Sequence, residues 1–272
     1  MHISELEGMG IGSRTHRYSA KDAAFYALAV GAKADQLDLV YERDLHVLPT
    51  FGAALGIWAT SEAARRGGYD ESTVLHAGQS LDALRPLPPE GAINMDARVA
   101  RVYDKVTAAL VVVVVESEYF RATYRMFVPG QGGWGGERGS SAPSPEDLAW
   151  NTTSEISVGQ TAAALYRLTG DLHPVHIDPG VAVRSGLRGP ILHGLCAMGM
   201  VSLSVAAETN AHPWGLTRIE ATFRAPVYPG QIISVESAHN GDGGVYFRAA
   251  AEGTHVMLGR AEFRRPVDGS RS

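Results

Sequence analysis

A chain of 272 residues, 45% hydrophobic and 19% charged, is long enough for two fused modules with a sizeable core. Its net charge of −5 argues against a nucleic-acid binder, which usually carries a basic patch or stripe. The one cysteine, Cys196, excludes an intramolecular disulfide and fits a cytoplasmic home, the N-terminus lacks a signal-peptide pattern, and the longest apolar run, 108–115, falls far short of the roughly 20 residues that cross a bilayer.

Ser19 is the expected N-cap of a first helix that ends near Gly31, with Ala23, Phe25, Ala27, Leu28 and Val30 on its apolar positions. Residues 51–60, preceded by Pro49 and Thr50, predict a second helix that Ser61 and Glu62 extend. From 73 to 127 the period changes to that of strands. The stretch 97–103 alternates small or apolar with polar residues, and strands over 108–115 and 118–127 follow. The five valines 111–115 are β-branched throughout and read as a buried strand. Gly, Ser and Pro then dominate 130–146, which reads as a linker between halves 1–129 and 147–272. The second half repeats the order. A helix is predicted over 158–168, a loop over 171–190 and a long apolar helix over 193–209. Strands follow over 219–223, 232–238, 245–251 and 255–263. A Pro-rich turn ending in Gly91 precedes a strand, and so does one ending in Gly230. The glycines stand 230 − 91 = 139 positions apart, about half the chain, which supports duplication.

Chemistry concentrates in 166–179, which packs Asp171, His173, His176 and Asp178 between Gly170 and two prolines, Pro174 and Pro179. Prolines stiffen the loop, and a stiff loop carrying Asp and His is what general acid–base catalysis needs. Taken singly, Asp171 would cap a helix end and His176 would be a structural histidine; Asp178 before Pro179 favours a turn. His173, His176 and Asp178 also have a spacing open to metal ligation. Gly194 opens the apolar helix, where it either permits close packing or turns its N–H, at the positive end of the helix dipole, toward an anion. Cys196, Met198 and Met200 on that helix read as core, and His46 and His76 as structural.

The run Tyr166-x-Leu168-Thr169-Gly170-Asp171-x-x-Pro174-Val175-His176-x-Asp178 resembles the signature of the MaoC-like, hydratase 2 family. Pro190-Ile191-Leu192-His193-Gly194 resembles that family's entry to its long helix. The segments 40–42, 47–50 and 75–80 resemble the non-catalytic half of its two-module members. His173 stands where the family usually has Asn. The resemblance implies an α+β fold of two tandem hotdog modules, each a curved antiparallel sheet wrapped around a central helix. It implies hydration of a trans-2-enoyl-CoA to a (3R)-3-hydroxyacyl-CoA in fatty-acyl or bulky steroid-side-chain acyl metabolism. Asp171 and His176 would be the acid–base pair and Gly194 the oxyanion donor. His173 and His193 would contact substrate, and Arg184 and Arg188 either meet a CoA phosphate or lie in solvent. His176 is assigned as base and Asp171 as acid, with the reverse left open. No metal and no cofactor are expected beyond the CoA thioester that is the substrate, and the expected partners are that substrate and a second copy as a homodimer, with no nucleic acid and no membrane. The N-terminal half would supply shape rather than chemistry, through a reduced central helix that leaves room for large acyl groups. A non-catalytic acyl-thioester-binding subunit and a hotdog thioesterase are the competing readings.

Overall fold

The structure, a computed structural model, describes residues 2–139, 148–150, 152–239 and 243–264. Ten strands form one sheet: β1 (Gly10–Tyr18), β2 (Leu75–Ala83), β3 (Gly91–Asp104), β4 (Ala108–Glu116), β5 (Phe120–Pro129), β6 (Thr152–Ser157), β7 (Leu216–Phe223), β8 (Ile232–His239), β9 (Val245–Ala251) and β10 (Thr254–Phe263). The helices are α1 (Ala20–Ala29), α2 (Leu37–Val40), α3 (Phe51–Gly56), α4 (Trp58–Gly67), α5 (Ala162–Tyr166), α6 (Pro179–Arg184) and α7 (Gly194–Glu208). Among the described residues no helix is long and apolar enough to cross a membrane.

The strand order is β1-β3-β4-β5-β2-β7-β10-β9-β8-β6, with every neighbouring pair antiparallel. Read outward from the central β2–β7 pair, both halves have one topology, which is the duplication that the two Pro-rich turns signalled. Those turns lead into β3 and β8, which hold equivalent places. In the second half α7 packs against all five strands β6 to β10. Ten of its residues are buried, on every face, as expected for a helix apolar all round.

In the first half α3 and α4 take the equivalent place, α3 on β5 and α4 on β1, β3 and β4. This segment is broken at Ile57 into helices of 6 and 10 residues where α7 runs 15, and at the break the hydrogen bonds shorten to the 3-10 pattern, Ile57 N–H to Ala54 C=O and Thr60 N–H to Ile57 C=O. Gly52 lets α3 lie close on the sheet, since a Cβ there would stand 2.7 Å from the buried Phe120 ring.

Several expectations shift at their edges. Ser19 caps α1 in a reciprocal capping box with Asp22, and Gly31 closes it at φ +94°. The helix expected over 158–168 is only α5 plus a 3-10 turn at Arg167–Thr169, because Val158 N–H still bonds the Gln231 carbonyl and extends the sheet. Strands β1 and β6 carry no apolar alternation in the sequence. Both are sheet edges, where polar residues are the rule. The expected linker 130–146 is described only to 139, and that part is not a free tether. The Asp104 carboxylate accepts the N–H groups of Val106, Gly133, Gly135 and Gly136, and Asp104 N–H bonds Glu137 C=O. These bonds hold the Gly-rich stretch on the β3–β4 turn and keep the Asp104 carboxyl below its usual range.

Gly52→Val should destabilise the fold by about 1–3 kcal/mol through overpacking against Phe120, although helix propensity alone favours Val over Gly. Urea unfolding checks this: the midpoint should fall with the slope m unchanged, and an unchanged midpoint refutes the tight contact.

Candidate active site

The segment after α5 departs from regular structure at Gly170, whose φ of +135° turns the chain away from the helix. Asp171 follows, half-buried, and its Oδ1 accepts the His173 N–H at 3.2 Å. His173 is the N-cap of the 3-10 turn Pro174–His176, and its Nδ1 accepts the Val175 N–H at 3.3 Å. Asn is a favoured N-cap residue, so an imidazole nitrogen here does the capping that the amide oxygen of an Asn would do. The turn presents His176, whose Nδ1 lies 2.9 Å from the Ile191 carbonyl oxygen. A carbonyl only accepts, so Nδ1 carries the proton and Nε2 keeps a free lone pair. Burial lowers the His176 pKa below the ordinary imidazole value, against the opposing pull of the Asp171 carboxylate.

His193 is the N-cap of α7, yet its side chain makes no capping bond. It is 1% exposed, its Nε2 lies 3.1 Å from the Asp171 carbonyl oxygen, and its ring stacks on that of His176 with centroids 3.5 Å apart. The Tyr166 ring lies 4.8 Å from it. Burial, and next the neighbouring His176, push the His193 pKa down to about 3. Gly194 then starts α7. A Cβ at Gly194 would stand 3.0 Å from the Phe223 ring, which would have to give by a few tenths of an ångström, so glycine favours close packing there. With no side-chain cap from His193, the first-turn N–H groups of α7 stay available at the positive end of the helix.

Asp171, His176 and His193 each bring a donor atom within 4.8 Å of the others. The two stacked rings nevertheless argue against a shared ion. Imidazole lone pairs lie in the ring plane, and an ion equidistant from both rings would sit well out of each plane. The set His173, His176 and Asp178 is not assembled, because Asp178 caps α6 through Gly180 and Val181 N–H groups at 2.7 and 3.2 Å. Arg184 is exposed in the last turn of α6. Arg188 lies over the Tyr228 ring at 4.1 Å and pairs with Glu252 at 3.4 Å, so its guanidinium is engaged on the surface.

One neighbour of this cluster comes from the other half and was taken as structural. His76 on β2 places its ring edge-on to Phe223, the residue that covers Gly194, with centroids 5.0 Å apart. Its Nε2 is 3.2 Å from Gln79 Oε1. Burial drives its pKa down to about 4, and the Asp171 carboxylate is the largest influence in the other direction. The first half therefore reaches the electrostatic surroundings of Asp171. The 75–80 segment carried this signal through its resemblance to the family, although nothing in it indicated a site. His46, by contrast, stacks on Trp214 with centroids 4.4 Å apart, away from these residues.

A family model described as the MFE-2 hydratase 2 N-terminal domain matches residues 16–127, and one described as a MaoC like domain matches residues 143–257. The chain is 30% identical over 272 residues to a probable enoyl-CoA hydratase 2 of Dictyostelium discoideum, covering 93% of this chain and 92% of that one. It is 32% identical to the peroxisomal multifunctional enzyme type 2 of Drosophila melanogaster over 80% of this chain, and spans only 41% of that protein. The solved structure of a MaoC-like dehydratase from Phytophthora capsici superposes with a TM-score of 0.87 at 25% identity, covering 98% of this chain and 99% of that one. A Mycobacterium tuberculosis protein described as having a double hotdog fold superposes with a TM-score of 0.62 at 15% identity over 96% of this chain and 97% of that one, a likeness of fold alone. Family models on both halves, and a relative aligned over nearly its whole length, place this chain in the MaoC-like, hydratase 2 family of double-hotdog proteins.

Proposed function

We propose that this protein adds water across the C2–C3 double bond of a trans-2-enoyl-CoA, giving a (3R)-3-hydroxyacyl-CoA, and catalyses the reverse dehydration. The observation that carries the reading is the His176 tautomer. Its Nδ1–H is spent on Ile191, so Nε2 can only accept, and it lies in one cluster with the Asp171 carboxylate. A base that stays neutral below the ordinary imidazole pKa suits proton abstraction near neutral pH.

In this mechanism His176 Nε2 takes a proton from water while the oxygen bonds C3. Negative charge moves to the thioester oxygen, which accepts a hydrogen bond donated by the Gly194 N–H. The proton held by His176 then passes to the Asp171 carboxylate, which delivers it to C2, so both groups end as they began. No metal or redox cofactor enters these steps. Leu168, Leu172 and Ile177, all exposed on or beside the catalytic loop, offer an apolar rim that suits a fatty or bulky acyl group.

Loss of the enoyl-thioester absorbance on adding protein to crotonyl- or decenoyl-CoA tests the reaction. Release of free thiol would instead mark a thioesterase, and neither signal would mark a binding subunit. Asp171→Asn and His176→Ala should each lower kcat by about 10²–10⁴ in folded protein, and near-normal turnover in either would refute the pair. Exhaustive chelation should leave activity unchanged; loss on EDTA with recovery on zinc would require a metal mechanism.

The pH profile has a defined sign. Protonating His176 removes the acceptor, and its pKa lies below the ordinary value, so kcat/KM should hold as pH falls through about 6.5 and decline below it. His173 contributes to that depression, after burial. His173→Asn should therefore keep activity and move the acidic limb to higher pH. Superimposable profiles would mean that His173 exerts no field on His176.

A further inference from the structure

His193 touches both members of the acid–base pair without offering either a reactive atom. Its Nε2 reaches the carbonyl oxygen of Asp171, its ring covers one face of His176, and its own backbone is the N-cap from which Gly194 and α7 begin. Three parts of the proposed machinery, the acid, the base and the oxyanion donor, thus converge on one side chain and its backbone. The site residues come from two segments, the loop after Gly170 and the start of α7, and the His193 ring bonds one to the other, as the His176 ring does through Ile191.

The chemistry of the ring fits that place. The Asp171 carbonyl only accepts, so Nε2 of His193 carries the proton. Nδ1 is then a lone-pair acceptor, and it is buried without a hydrogen-bond partner among the described residues. The hydroxyls of Tyr26, Thr50 and Tyr166 are grouped in the same buried region, Thr50 and Tyr166 on that of Tyr26, and the Tyr166 ring packs on His193. The titratable or charged groups that act on the ring are His176, Asp171 and Arg167. A cation at His193 would be buried beside His176 and Arg167, and the ring therefore stays neutral across the range in which His176 works. A neutral, flat and fully buried neighbour also excludes water from one face of the base.

We propose that His193 is a positioning residue for the hydratase reaction: it locks the Asp171 main chain and the His176 ring in register with the amino end of α7, and does not contact substrate. This rests on the proposed hydratase function. It replaces the substrate contact expected of His193 from the resemblance alone.

The test separates the two interactions. His193→Gln keeps an N–H donor for the Asp171 carbonyl and loses the stacking face, His193→Phe keeps the face and loses the donor, and His193→Ala loses both. In folded protein, His193→Ala should lower kcat on crotonyl-CoA by about 10²-fold, as small displacements of reacting groups do. KM should change little, and the Gln and Phe variants should fall between Ala and wild type. Water reaching His176 in His193→Ala should raise its pKa toward the ordinary value and move the acidic limb of kcat/KM to higher pH. Unchanged kcat, or a rise in KM alone, would overturn the proposal in favour of a bystander or a substrate contact.

Buried substitutions can unfold a protein, so a second measurement uses the wild type. Imidazole nitrogen NMR on labelled protein should find His193 neutral with the proton on Nε2, and His176 with its proton on Nδ1. A proton on Nδ1 of His193, or its titration near the ordinary value, would refute the clamp. Wild-type protein with no hydration of any enoyl-CoA would refute the proposed function instead, and the tautomers would still decide whether His193 holds Asp171.

Discussion

Five residue pairs between β2 and β7, from Gly78 opposite Thr222 to Asp82 opposite Arg218, turn two five-stranded sheets into one. Backbone pairing and burial hold this junction: Leu81 faces Ile219, and both are fully buried. Ion pairs lie beside it, Arg218 to Asp82 at 2.7 Å and Arg125 to Glu220 at 3.0 Å. They are partly exposed and add little energy, while opposing a slip of register. Gly78 is needed at the seam, where a Cβ would stand 2.9 Å from the Ala221 carbonyl oxygen. A slip by one residue would put Leu81 and Ile219 on opposite faces of the sheet and separate His76 from Phe223.

The junction also brings the helical layers together. Val30, at the end of α1, meets Gly199 of α7, where a Cβ would stand 2.7 Å from Val30 Cγ1, and Tyr26 faces Tyr166 with ring centroids 6.0 Å apart. The two tyrosines sit at comparable places in the halves, and each packs on a residue at the mouth of its central helix, Tyr26 on Phe51 and Tyr166 on His193. Architecture is repeated while chemistry is not: Gly170 is followed by Asp171, whereas Gly31 is followed by Ala32. The first half is nevertheless more than a spacer. Its Tyr26 faces Tyr166, its Ala54 carbonyl lies against Gly170 and its His76 lies against Phe223, contacts that the catalytic module does not build for itself.

Three histidines around the site, His76, His176 and His193, share one electrostatic condition. Burial holds all of them toward the neutral form, and the Asp171 carboxylate partly counters it in each case. A cluster of neutral imidazoles beside one carboxylate avoids the cost of packing several cations together. His176 and His193 can then serve through their tautomers, His176 as an acceptor at Nε2 and His193 as a donor at Nε2.

Local rules were sufficient for much of this protein. The Ser19 cap, the valine strand, the apolar helix after His193 and the Pro-rich turns before β3 and β8 were legible because each depends on residues near in the chain. The 166–178 run placed Asp171 and His176 on one loop for the same reason: a short, proline-stiffened segment holds its side chains together whatever surrounds it. Edge strands β1 and β6 were not legible, since their pairing rests on the backbone of a neighbour and their polar side chains leave no periodic trace. The break in the first central helix, the capping of the Gly-rich stretch by Asp104 and the reach of His76 to the site were also beyond local reading. So was the role of His193, because a separation of 22 positions from Asp171 says nothing about which ring face meets which. Sequence alone determined which groups could do the chemistry and that they lie on one stiff loop. Tertiary structure decided their protonation states and orientations, because burial, stacking and a hydrogen bond to a distant carbonyl are contacts between segments that only the folded chain brings together.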